Sequence, residues 1–230
     1  MTQPLTIVFP LYPGVTQLDF TGPHQVLSRL PGARVIVASV GAAPVTAEGM
    51  RFDGLTALEA VASCDVLCVP GGQGCTGAME DAAYMAAIRR LAAGARHVTS
   101  VCTGSLILGA AGLLRGRRAA CHWAWRDLLA LFGATPDPGR VVRDGNILTG
   151  GGVTAGIDFA FVLVADLAGP TAAQAIQLGL EYAPAPPFDA GRPETAPAEV
   201  LAEVRARTAP GLQARRDAVA RAAAALDQNA

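Results

Sequence analysis

The sequence predicts an α/β protein, a three-layer sandwich with a mostly parallel central sheet and helices on both faces. Short β-branched runs alternate along the chain with Ala- and Leu-rich segments of helical spacing, the pattern of successive βαβ units. The run Val66-Leu67-Cys68-Val69 is apolar throughout, as a strand covered on both faces has to be. With 230 residues, 51% of them hydrophobic and 16% charged, the chain is long enough for one filled core. A domain of this size buries roughly 70% of the surface that its unfolded chain exposes.

Residues 5–9 read as the first strand, followed by a loop through Tyr12-Pro13-Gly14. A helix is expected over about 21–30, with Pro23 tolerated in its first turn and Pro31-Gly32 ending it. Residues 34–40 read as the second strand, 45–52 as a hairpin turning at Glu48-Gly49, and 66–69 as the buried central strand. Helical spacing then covers 79–93, a strand 97–101, and a helix 105–114 that starts just past a sharp corner at Cys102. Residues 123–131 look helical, and 141–143 with 146–149 form a hairpin around Asp144-Gly145. Gly150-Gly151-Gly152 leads into a long buried helix over 153–167, and a further helix covers 171–181.

Residues 1–182 thus read as the α/β domain. Residues 183–197 hold Pro184, Pro186, Pro187, Pro193 and Pro197 and read as an extended strap, whose apolar neighbours Tyr182 and Phe188 favour packing over the domain or a neighbouring subunit. The last segment, 198–230, reads as two Ala/Arg-rich helical stretches broken at Ala209-Pro210-Gly211. Strap and helices are expected to pack as an extension on the same domain.

Composition narrows the function. The longest apolar segment, 153–167, is interrupted by Asp158 and Asp166 and is shorter than the ~20 residues of a membrane span, so no membrane role is expected. A net charge of −1, with the 18 basic residues scattered singly or in pairs, argues against a nucleic-acid partner and for a small neutral substrate. Every basic residue is Arg, so no lysine is present to form a Schiff base or complete a phosphate-binding loop. Cys64, Cys68, Cys75, Cys102 and Cys121 show no C-x-x-C pair and no zinc-ligand rhythm with the three histidines, so free thiols and no metal are expected. The first ten residues lack a basic segment leading into an apolar one, which points to the cytoplasm.

Three strings carry chemistry. Val101-Cys102-Thr103-Gly104-Ser105 places a thiol between a strand end and a helix start, a nucleophile elbow whose helix N-terminus is expected to make the thiol acidic. The plain alternative is a buried structural cysteine. Val69-Pro70-Gly71-Gly72-Gln73-Gly74 ends the central strand on the same rim, where the amides of Gly72 and Thr103 are natural donors to negative charge on a substrate; the alternative is an ordinary tight turn. Asp19, between Leu18 and Phe20, is either a helix N-cap or a desolvated acid/base facing the same rim.

These strings, with Cys121-His122-Trp123 and Gly151-Gly152-Val153-Thr154-Ala155-Gly156-Ile157-Asp158, resemble the ThiJ/PfpI-like superfamily with its class I glutamine amidotransferase-like fold, over about residues 5–180. The resemblance implies the flavodoxin-like form of the sandwich. The tail Leu180-Glu181-Tyr182 and Pro186-Pro187-Phe188-Asp189-Ala190-Gly191 resembles the isonitrile hydratases within it. That resemblance implies Cys102 as nucleophile, Asp19 as acidic partner, Thr103 as hydroxyl neighbour, a homodimer, and no cofactor. Isonitrile hydration to a formamide through a cysteine thioimidate is the implied reaction, with Gly71, Gly72, Gly151 and Gly152 shaping a small apolar substrate pocket. Protease-like members carry histidine directly after the cysteine; here that residue is Thr103, and His122 reads as a supporting histidine outside the catalytic set. Two rival readings stand beside it. A ligand-sensing module of AraC-type regulators would need a basic helix-turn-helix extension that the sequence as read does not hold. A redox or carbonyl-processing stress protein of the superfamily usually has Glu where this chain offers Asp19.

Overall fold

The computed structural model describes residues 4–228. The first half is built from β1 (Leu5–Pro10), α1 (Gln17–Leu27), β2 (Ala33–Ser39), the hairpin β3 (Val45–Ala47) and β4 (Met50–Phe52), β5 (Thr56–Ala57) and β6 (Val66–Val69). Next come α2 (Cys75–Glu80), α3 (Ala82–Gly94), β7 (His97–Val101), α4 (Gly104–Ala110) and the short strands β8 (Arg118–Ala119) and β9 (Thr135–Pro136). The hairpin β10 (Val141–Asp144) and β11 (Ile147–Gly150), then α5 (Ala155–Ala168), α6 (Pro170–Gly179) and α7 (Ala198–Asp227), complete the chain.

The central sheet has seven strands in the order β10-β11-β7-β6-β1-β2-β5. All its pairings are parallel except the β10–β11 hairpin. α1 packs on α5 and α5 on α6, while α2, α3, α4 and α7 form the second helical layer. Because β1, β6 and β7 are adjacent, the loops leaving their carboxyl ends meet on one rim, where ligands of parallel sheets collect. Val69 pairs with Ser100 and Val101 with Gly150, so the ends of β6, β7 and β11 lie side by side.

Two tyrosines fix this rim from below. Tyr12 donates its hydroxyl to the Pro70 carbonyl (2.9 Å) and Tyr84 donates to Pro10 (3.0 Å), so both phenols are buried without an unmet donor. Their rings meet edge to face at 5.5 Å. Among the described residues, no helix is long and apolar enough to cross a membrane.

Several boundaries differ from the sequence reading for identifiable reasons. α1 begins at Gln17, four residues early, because the Thr16 amide is anchored on the Gly71 carbonyl (2.9 Å) and the helix starts from that anchor. Pro23 therefore lies inside the helix, where it cannot donate to the Asp19 carbonyl one turn back. The helix expected over 79–93 is two helices, split at Asp81, whose Oδ1 accepts from the Tyr84 amide (3.0 Å) and caps α3. The segment expected to be helical over 123–131 is a 3₁₀ run, Arg126–Phe132, closed by Gly133 in the left-handed region. Tyr182 packs as expected, stacking on Phe161 and donating to Asp158 Oδ1 (2.6 Å), but Phe188 stands 79% exposed.

The C-terminal segment differs most. α7 runs unbroken through Pro210, held by packing against α2, α4 and the 3₁₀ run. Tertiary contact outweighs the one backbone hydrogen bond that proline removes. Pro210 is exposed, so Pro210→Ala should restore that bond without disturbing a contact. We expect it to stabilise the protein by about 1–3 kcal/mol in urea titrations; no gain would mean that the helix is interrupted there.

Candidate active site

The corner after β7 is a strained turn. Cys102 has φ 57°, a left-handed conformation that costs a residue with a Cβ about 1–3 kcal/mol. The surroundings impose it. The Cys102 amide donates to the carbonyls of Gly151 (2.8 Å) and Gly150 (3.1 Å), tying the corner to the end of β11. Beneath it, Ser105 donates to the Ala120 carbonyl (2.6 Å) and lies 2.8 Å from the Ser100 hydroxyl, bracing strand against helix. The sequence places this cysteine at a strand-to-helix corner, and there it stands, between β7 and α4, buried.

The loop after β6 then locks onto this corner. Gly72, at φ 150°, forms a β-bridge with Val15, and a side chain there would collide with the Gly14 carbonyl. A Cβ on Gly71 would meet the Thr103 amide nitrogen at 2.5 Å and Asp19 Oδ2 at 2.7 Å. Only glycine lets these three loops approach. The Gly71 amide donates to Asp19 Oδ2 (2.9 Å) and the Gly72 amide to Thr103 Oγ1 (2.9 Å); the Thr103 hydroxyl returns a bond to the Gly72 carbonyl (3.2 Å).

This bonding corrects one expectation. The amides of Gly71 and Gly72 are already engaged in holding Asp19 and Thr103, so neither is a free oxyanion donor. The donor beside the sulfur is the Thr103 amide, which acts to lower the Cys102 pKa. Gly151 likewise donates its amide to Arg140 (2.9 Å) and offers its carbonyl to Cys102, while Gly152 lies against the His122 ring.

Asp19 is not the N-cap of α1. It is the third residue of the helix, fully buried, with Oδ2 on Gly71 and Oδ1 lacking any hydrogen-bond partner among the described residues. Burial raises its pKa from 3.8 to about 7, against the Gly71 amide and the Cys102 thiol, which both act as donors that lower it. The carboxyl is therefore poised to hold or release a proton at neutral pH.

The thiol corrects a second expectation. Burial pushes the Cys102 pKa well above 9, with the Asp19 carboxylate adding to the rise, and the Thr103 amide does not offset them. α4 has only seven residues, all buried, so its N-terminus does not compensate for the lost water. Burial thus favours the neutral form of the thiol, beside a carboxyl whose own pKa is raised to about 7.

His122 stands apart. Its Nδ1 accepts from the Ala124 amide (3.3 Å), its ring stacks on Trp123, and burial with the nearby Arg215 cation lowers its pKa. It lines a cavity together with Cys121 and Gly152. Sequence reading missed Arg215 altogether. This α7 residue is 5% exposed, donates to Gln73 Oε1 (2.9 Å) and to the Gln73 carbonyl (3.4 Å), and lies 4.1 Å over the Trp125 ring. It pins the residue next to Gly71-Gly72. No local string could have signalled a partner 142 residues away.

Beside the corner lies a cavity of about 230 Å³ whose lining includes Cys121, His122, Gly151 and Gly152. Arg126, Arg140, Arg192 and Glu194 also face it, whereas Gly71 and Gly72, expected to shape the substrate pocket with Gly151 and Gly152, do not line it, and neither does Thr103.

Asp19 has a cost in stability with a defined sign. The folded chain keeps a proton up to about pH 7 that an unfolded carboxyl releases near 3.8, so stability falls between those values and stays low above them. The difference corresponds to roughly 4 kcal/mol. Asp19→Asn should therefore resist denaturant better than wild type at about pH 8, with the advantage vanishing near pH 4. Chemical denaturation at several pH values checks this, and a pH-independent difference would contradict it.

The chain matches the DJ-1/PfpI family over residues 5–166. It is 54% identical over 224 residues to isonitrile hydratase of Pseudomonas putida, covering 97% of this chain and 98% of that protein. A ThiJ/PfpI family protein from Pseudomonas syringae superposes with a TM-score of 0.90 at 41% identity, covering 96% of this chain and 90% of that one. Drosophila melanogaster DJ-1beta superposes with a TM-score of 0.70 at 26% identity, covering 79% of this chain and all of that one. With the elbow cysteine, the glycine loop and the seven-stranded sheet in place, the chain belongs to the DJ-1/PfpI family.

Proposed function

We propose that this protein hydrates an isonitrile, R–N≡C, to the N-substituted formamide. The observation that carries the reading is the buried Cys102–Asp19 pair, in a chain 54% identical along nearly its whole length to a protein named for that activity.

The terminal carbon of an isonitrile carries a lone pair and becomes electrophilic once it takes a proton. Asp19, about half protonated at neutral pH, donates that proton, and the Cys102 sulfur adds to the same carbon. The thiol proton passes to the Asp19 carboxylate as the carbon–sulfur bond forms. The product is a thioimidate, R–N=CH–S–Cys102, and Asp19 is protonated again. Water then adds to this carbon while Asp19 protonates the nitrogen and accepts a proton from the water. Breaking the carbon–sulfur bond releases R–NH–CHO, and the sulfur regains its proton. A thiol kept neutral by burial suits this sequence, because proton and sulfur are delivered to one carbon. Thr103 is a positioning residue: its hydroxyl holds the Gly72 loop and its amide faces the sulfur. Oxidation-sensing cysteines are exposed and low in pKa, and Cys102 is neither, which disfavours the redox reading.

Incubation with cyclohexyl isocyanide should yield the formamide. Cys102→Ser should abolish turnover, and Asp19→Asn should lower kcat by about 10²-fold or more. In wild type, kcat/KM should fall as pH rises through about 7, because the acid form of Asp19 is lost. Turnover that survives Cys102→Ser would overturn the assignment.

A further inference from the structure

The cavity beside Cys102 is lined for an anion, and we propose that the substrate is an isonitrile carrying a carboxylate, whose charged end is held there by Arg126 and Arg192. This names the substrate class of the site and rests on the isonitrile reading above.

Cys121, Gly151 and Gly152 line the cavity on the side of the Cys102 turn, and Cys102 itself does not line it. Gly151 is the residue whose carbonyl receives the Cys102 amide at 2.8 Å, so the cavity abuts the nucleophile's own turn. Three guanidinium groups face it, from the 3₁₀ run, from the loop before β10 and from the proline-rich strap. Arg140 is neutralised by its ion pair with Asp158 and also donates to Thr154. Arg126 and Arg192 have no carboxylate within ion-pairing distance among the described residues, and Glu194, the acid of the lining, pairs with neither. Behind the wall, Arg215 is buried with Gln73 and Trp125 as partners and no carboxylate. Its charge reaches the rim, where it adds to the lowering of the His122 pKa by burial and opposes the rise that burial causes at Cys121.

Among the lining side chains, Arg126 and Arg192 stand against Glu194, with Arg215 behind the wall, so the charge around the cavity is on balance positive. Unpaired guanidinium groups around a cleft recruit a carboxylate, which they can grip by two parallel hydrogen bonds. A neutral hydrocarbon tail would call for an apolar lining instead. The volume, about 230 Å³, suits a carboxylate on a short carbon chain.

The test compares 2-isocyanoacetate with its neutral methyl ester in the full-length protein. Wild type should prefer the anion in kcat/KM by about tenfold or more, chiefly through KM. Arg192→Met, on the exposed strap, and Arg126→Met should each shrink that ratio several-fold, and Arg126→Lys should retain part of it. Equal or better use of the ester by wild type, or a ratio indifferent to both methionine variants, would overturn the proposal. If neither compound is turned over while cyclohexyl isocyanide is, the carboxylate proposal fails and the isonitrile reading stands. If cyclohexyl isocyanide is not turned over either, the isonitrile reading fails, and calorimetry with N-formylglycine and its methyl ester decides the cavity separately. Anion-selective binding lost in Arg192→Met would uphold the carboxylate subsite, and its absence would refute it.

Discussion

A carboxyl group without exposed surface, held by one backbone amide, organises this site. Asp19 receives the Gly71 amide on Oδ2, and the Cys102 thiol acts on the same carboxyl. Removed from water, each group resists ionisation; the Asp19 carboxylate adds to the reluctance of the thiol, whereas the thiol lowers the pKa of Asp19. The proposed addition of hydrogen and sulfur to one carbon rests on this pairing of a raised carboxyl pKa with a raised thiol pKa.

The fold supplies the approach that this pair needs. Adjacent parallel strands bring the loops after β1, β6 and β7 to one rim, and Gly71 and Gly72 remove the side chains that would hold those loops apart. The strain at Cys102 is sustained by bonds to Gly150 and Gly151 on one side and by the Ser100–Ser105–Ala120 chain on the other. α7 joins the same assembly from the far end of the sequence, since Arg215 grips Gln73 and Arg221 pairs with Glu80 of α2. The C-terminal helix is thus coupled to the glycine loop, and through it to the carboxyl group.

Legibility followed range. The corner at Cys102 was readable because strand, thiol and helix start lie within one short string, and the hairpin at Glu48-Gly49 because both residues take positive φ. Asp19 was readable as a rim residue, but its choice between cap and acid depended on where Oδ2 pointed, which is set 52 residues away at Gly71. Engagement of the Gly71 and Gly72 amides, the raised Cys102 pKa and the arginine-lined cavity all arise from packing between distant loops. Local rules also failed where tertiary contacts prevailed: α7 passes through Pro210 and α1 through Pro23. Phe188 failed in the opposite sense, since an apolar residue in a strap gives no assurance of a surface to cover it.

The account depends on where the last proton of the site resides, and infrared difference spectroscopy of wild type against Asp19→Asn reads it directly. We predict a protonated-carboxyl band, absent from the variant, that disappears as pH rises through about 7. A band lost near 3.8, as for an exposed carboxyl, would show that Asp19 is ionised throughout the working range and would contradict the shared-proton chemistry proposed for Cys102.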